Sequence, residues 1–143
     1  MAKLRFPEIF GSRDHNDMVI DAFEVGYGLE GDEVLRGCYG SNYSFLAGGP
    51  GDDIYVAADW AALKILDSGG FHSVVADGIS VLREGTYVAT VEGRHLIAGD
   101  IYSGQQVAIS NWEDPQFRIE EFVLADGIYS FDQIHTTVFS SPN

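Results

Sequence analysis

Apolar residues fall along this chain in two regimes. Between residues 12 and 56 they form short β-prone stretches set off by turn-forming residues, with self-similarity at a period of about nine. The complete unit is Gly48-Gly49-Pro50-Gly51-Asp52-Asp53-Ile54-Tyr55-Val56: a glycine-dense turn, an acid at the sixth place, and a triplet centred on the large apolar Tyr55. Gly28-Leu29-Glu30-Gly31-Asp32-Glu33-Val34-Leu35-Arg36 keeps two glycines and the apolar Leu35, with Glu33 at the acidic place. Residues 37–45 keep the glycine spacing, while Asn42 and Ser44 stand at the acidic and apolar places. Ser12 to Ile20 is a frayed copy with Asp17 sixth and Val19 apolar. If six residues make a turn and three a strand, two units close one flat coil, and turns on one edge recur every second unit. Glu33 and Asp53 then share an edge. They lie 20 residues apart instead of roughly 18, because Leu46 and Ala47 intervene, so one strand or turn is expected to bulge to keep register.

After Val56 the strands lengthen and alternate. Leu63–Leu66 and Ser73–Ala76 flank a turn at 67–70, Thr86–Val91 is a strong β run, and Glu92-Gly93 reads as a hairpin turn into His95–Ala98. Gln106–Trp112 is a further strand broken by Glu113-Asp114-Pro115, and Phe117–Leu124 leads through Ala125-Asp126-Gly127 into Tyr129–Phe131. Residues 57–63 offer one helical turn at most, and no segment keeps a helical period over ten residues. The pattern predicts an all-β chain read as a single domain over 1–143. Its first part, 11–56, is a short degenerate parallel β-roll; its second, 57–143, packs against the roll as an antiparallel sheet or sandwich from about 63 to 138.

Composition sharpens this. At 143 residues, 45% hydrophobic and 13% aromatic, the chain has material for one real core. Twenty-two acidic against eight basic residues give a net charge of −14, which disfavours nucleic acid and anionic membrane as partners and would be partly relieved by a bound divalent cation. Cys38 stands alone, so no internal disulfide framework exists and a metal could take over that stabilising role. The start, Met1 to Pro7, has no long apolar core or small-residue cleavage site, so a secretory signal peptide is not expected there. No apolar run approaches the roughly 20 residues of a membrane span.

Enzymatic chemistry finds little purchase. His15, His72, His95 and His135 show no zinc spacing and are expected at surface or strand positions; no nucleophile elbow occurs. Asp100, Glu120 and Asp126 could be imagined as paired carboxylates, but any acidic β protein offers such pairs by chance, and no catalytic residue is assigned. Trp60 and Trp112 could form a sugar platform, although aromatics on strands usually belong to the core. Calcium, a hard ion taking about six to eight oxygens, suits the turns better. Glycines let backbone carbonyls approach an ion, and the acid adds a carboxylate. The candidate ligand set is Asp53 with carbonyls of Gly48, Gly49 and Gly51, joined by Glu33 with carbonyls of Gly28 and Gly31. Asp32 and Asp52, one place earlier, are expected to be solvated.

Residues 28–56, above all Gly48 to Val56, resemble the haemolysin-type or RTX (repeats-in-toxin) calcium-binding repeats. The segments Val107–Trp112, Phe117–Phe122 and Ala125-Asp126-Gly127 are similar to the haemolysin-type calcium-binding related domain that often follows them. The resemblance implies a β-roll on a β-sandwich-like portion, in a bacterial protein secreted to the extracellular space by a type I system, with calcium completing the fold after export. The expected function is non-catalytic calcium binding. Rival expectations are a calcium-independent structural, adhesion or carbohydrate-binding module, and an accessory domain of a larger RTX toxin or hydrolase. Exposed strand edges would also suit a homodimer.

Overall fold

A computed structural model describes residues 8–12, 17–20, 24–37, 43–57, 61–66, 70–81, 84–115 and 117–140. The described chain is mostly β, in two mixed parallel and antiparallel sheets. The strands are β1 (Glu8–Phe10), β2 (Asp17–Ile20), β3 (Val25–Tyr27), β4 (Val34–Gly37), β5 (Tyr43–Ala47), β6 (Ile54–Ala57), β7 (Ala62–Ile65), β8 (Ser73–Ala76), β9 (Thr86–Val91), β10 (His95–Asp100), β11 (Gln106–Ile109), β12 (Glu121–Leu124) and β13 (Gly127–Ser130), followed by helix α1 (Phe131–Ser140). Up to β8, successive strands alternate between the sheets, and each strand from β3 onward pairs in parallel with the one two before it. The first sheet runs β1-β3-β5-β7-β11-β10-β9 and the second β13-β12-β8-β6-β4-β2.

Parallel winding therefore continues past residue 56. β11 adds in parallel to β7 and β12 to β8, so the expected antiparallel second half is antiparallel only within β9-β10-β11 and β12-β13. Alternation tells which side chains face inward but not which way a neighbouring strand runs. The glycine edge decides it. Six residues lie between Tyr27 and Val34, six between Ala47 and Ile54, and six again between Leu66 and Ser73, so the spacing of the two glycine turns is repeated once more.

No strand bulge accommodates the two intervening residues, and the other expected place for the adjustment, the turn at 38–42, lies outside the described residues. Leu46 and Ala47 are ordinary members of β5, opposite Gly26 and Tyr27, while Val34 pairs with Ile54. The frayed first unit is also offset by one residue from the expected frame: Met18 lies opposite Leu35 and faces inward with Ile20, whereas Val19 is exposed. Asp17, expected at the acidic place, instead starts β2 and forms an ion pair with Arg36 at 3.0 Å.

Between the sheets lie Ile20, Leu35, Tyr55, Val74 and Phe122 from one side and Leu46, Leu63, Ile65, Val107, Ile109 and Leu96 from the other. Gly37 makes room for Leu63, since a β-carbon there would overlap the Leu63 methyl. Ser44, at an apolar place of the repeat, is buried and donates to the Ile20 carbonyl at 2.9 Å, which removes the cost of hiding its hydroxyl.

Helix α1 was not legible from periodicity. Its described buried face is only Phe131 and Ile134, packed by Phe131 on Trp112. Its start is well specified. The Gln133 N–H donates to Ser130 Oγ and the Ser130 N–H to Gln133 Oε1, a reciprocal capping box, with Asp132 in the first turn. Trp112 is 1% exposed, which makes it core and not a sugar platform; Trp60 and Cys38 lie outside the described residues. Among the described residues no helix is long and apolar enough to cross a membrane.

Candidate functional site

Along the glycine edge the turns stack as closely as backbone allows. The Gly28 N–H donates to the Ala47 carbonyl at 2.8 Å, Ile54 N–H to Glu33 O at 2.8 Å and Ser73 N–H to Asp53 O at 3.0 Å. Gly31, Gly51 and Gly70 occupy one place in successive turns, with φ of 110°, 116° and 97°. A β-carbon on Gly51 would collide with the Gly31 carbonyl, and one on Gly70 with the Gly51 carbonyl. Glycine is required there both by conformation and by contact.

Each sixth-place side chain folds back into its own turn. The Glu33 carboxylate lies over Gly28, where a β-carbon would stand 3.0 Å from Glu33 Oε2 and 2.7 Å from the Gly48 carbonyl. Asp53 occupies the same position under Gly48, whose added β-carbon would overlap Asp53 Oδ2 and come 2.6 Å from the Tyr55 hydroxyl. The Gly48 N–H donates to that hydroxyl at 2.9 Å, so Tyr55, the inward apolar residue of the unit, also braces the turn.

The sixth places form a row linked from turn to turn. Glu33 N–H donates to Asp53 Oδ1 at 2.9 Å, Asp53 N–H to His72 Nδ1 at 3.3 Å, and His72 N–H to Glu120 Oε1 at 2.7 Å. Glu33, Asp53 and His72 are each about 1% exposed. His72 Nδ1 is also 3.6 Å from Asp53 Oδ2. Because Nδ1 accepts the Asp53 N–H, the proton of the neutral ring sits on Nε2. A parallel row runs one place earlier on the outside: Asp52 N–H donates to Asp32 Oδ1 at 2.8 Å, and Phe71 N–H to Asp52 Oδ1 at 2.9 Å. Asp32 and Asp52 are exposed as expected, yet each also ties adjacent turns together.

The two stacked turns thus bring together all seven residues singled out from the sequence: Asp53, Glu33, Gly48, Gly49, Gly51, Gly28 and Gly31. Their donors are carboxylate and carbonyl oxygens, which suit a hard cation such as calcium better than zinc or copper. The space beneath Gly28 and Gly48 is held by carboxylates because no β-carbon fills it. Among the described residues, no cluster of three or more His, Cys, Asp or Glu side chains is arranged to hold a metal, so backbone carbonyls would have to complete a coordination sphere.

Sequence reasoning missed two members of the row. His72 was expected at a surface or strand position but is buried in a turn; Glu120 was considered only as half of a chance acid pair. The interval from Asp53 to His72 matches the step from Ile54 to Ser73 across β6 and β8, a signal hidden because an imidazole does not look like the acid it replaces. The other histidines fit their expected settings: His95 on β10 accepts the Asn111 N–H through Nδ1 at 3.0 Å, and His135 on α1 lies 3.0 Å from Glu113; His15 is outside the described residues. Asp100 and Asp126 serve local structure. Asp100 Oδ1 accepts the Tyr102 and Ser103 N–H groups, and Asp126 accepts the Ser80 hydroxyl. No family model matches the chain, and no curated protein matches it in sequence.

Proposed function

We propose that the wound strands are a β-roll of the RTX type and that the chain is a non-catalytic calcium-binding module whose fold is stabilised by the ion after type I secretion. The observation that carries this reading is the stacking of the Gly28–Glu33 and Gly48–Asp53 turns, with two buried carboxylates set one above the other under glycines. Burying two carboxylates is costly, and one divalent cation offsets both at once. Asp53 and Glu33 would hold it with carbonyls of Gly48, Gly49, Gly51, Gly28 and Gly31, and the net charge of −14 favours its uptake. Extracellular calcium would then tighten a roll that is looser in calcium-poor cytoplasm, since binding only the folded state adds to folding free energy. Circular dichroism of the chelator-stripped chain during calcium titration tests this: a saturable gain in β signal or thermal stability supports it, and indifference to the ion rejects it.

A second reading, a calcium-independent structural or adhesion module, is favoured by His72. At the sixth place of the next turn an imidazole nitrogen accepts the Asp53 N–H, as the Asp53 carboxylate accepts the Glu33 N–H one turn earlier. The row can therefore hold turns together by hydrogen bonding alone, and the same titration separates the two readings.

A further inference from the structure

We propose that the chain pairs with a second copy of itself through the open edge of β9, antiparallel, with Ala89 on the two-fold axis. Among the described residues, four strands lie at sheet edges: β1, β9, β13 and β2. Edges are normally protected by brevity or charge. β1 has three residues and contains Glu8, β2 has four and contains Asp17, and β13 has four. β9 has six, Thr86 to Val91, none charged and none proline, and five of the six are exposed. In a chain of net charge −14 it is the longest edge at which two copies can meet without opposing acids.

Backbone geometry fixes how they meet. The Arg94 N–H donates to the Val91 carbonyl and the Ile101 N–H to the Gly85 carbonyl, both at 3.0 Å, so the odd-numbered residues direct their peptide groups toward β10. Antiparallel alternation then turns those of Thr86, Val88 and Thr90 to the open side. Two copies must therefore match even residues with even. Val88 opposite Val88 would set Glu84 against Glu92. Val88 opposite Thr90 instead keeps those acids out of register and sets Tyr87 opposite Val91 twice, an aromatic and β-branched pairing that stabilises sheets. Charge selects this second register.

The pairing also covers an apolar opening. Val88 is 44% exposed, yet it lines a cavity of about 70 Å³ between the sheets, walled by Val74, Leu96, Val107, Ile109 and Phe122. Thr90 of the second copy would lie over Val88.

Sedimentation of the whole chain, with calcium and with chelator, tests the interface independently of the metal reading. The account expects a concentration-dependent dimer in which Val91→Asp, which sets an acid beside Tyr87 of the second copy at both ends, raises the dimer dissociation constant at least about tenfold. In a Cys38→Ser background, Ala89→Cys should oxidise to a linked dimer faster than Val88→Cys, because the directly opposed non-hydrogen-bonded pair has the Cα spacing a disulfide needs. A chain that sediments as a monomer at every concentration overturns the proposal, as do a Val91→Asp chain that dimerises as tightly as the unmodified one or equal cross-linking at the two positions.

Discussion

Gly51 carries two constraints that are separable by mutation. Its φ of 116° disfavours any side chain, and an added β-carbon would strike the Gly31 carbonyl of the turn beneath. Gly93 shares a positive φ, 67°, but has no heavy atom within 4 Å of the added carbon. Gly93→Ala should therefore cost about 1 kcal/mol and Gly51→Ala at least about 2 kcal/mol more, as read from urea unfolding. Equal losses would mean the turns are not stacked as described. Gln105, fully buried, presents a different dependence: its Oε1 accepts the Gly78 N–H and its Nε2 donates to Asp77 Oδ1, both at 2.8 Å. Gln105→Leu keeps the volume and strands those partners, with an expected loss of about 2 kcal/mol in the same assay; a neutral outcome would show that the 77–105 excursion is not anchored there. At this scale the sequence was informative where chemistry repeats. Glu33 and Asp53 could be placed on one edge from acids and glycines alone, whereas His72 could not, because its ring performs the acceptor role without the charge that marked the position.

Among the elements, those defined by local chemistry were the easier to foresee. The Glu92-Gly93 hairpin followed from its turn residues, and the structure pairs His95 with Val91 across it. Helix α1 was missed because its described buried face is two residues wide, although its Ser130-Phe131-Asp132-Gln133 start is a capping signal in plain view. Ser130→Ala should lower stability by about 1 kcal/mol, and threonine there should recover most of the loss; if alanine is tolerated, the cap does not hold the helix onto Trp112. Strand direction was the harder problem. β7, β8, β11 and β12 read as alternating strands in sequence, and alternation is the same for parallel and antiparallel neighbours. What distinguishes them is the constant seven-residue step across the glycine edge, visible once Leu66 and Ser73 are matched to Ala47 and Ile54.

For the whole molecule, the central issue is why an acidic chain buries Glu33 and Asp53 in adjacent turns. Self-repulsion at −14 already opposes compaction, and a buried carboxylate pair adds to it. Under the proposed function calcium offsets both, and the winding on either side, from β1 to β12, gains cohesion through the turns it shares. Asp53→Asn is the most informative variant because the amide oxygen can still accept the Glu33 N–H while the charge is lost. The direct measurement is the melting temperature of the wild-type and Asp53→Asn chains in chelator and in saturating calcium. The account predicts that the wild type rises by roughly 5–10 °C at a hundredfold excess of calcium over its dissociation constant, while Asp53→Asn melts cooperatively and does not respond. A wild-type melt unchanged by calcium, or an equal rise in the variant, would contradict it.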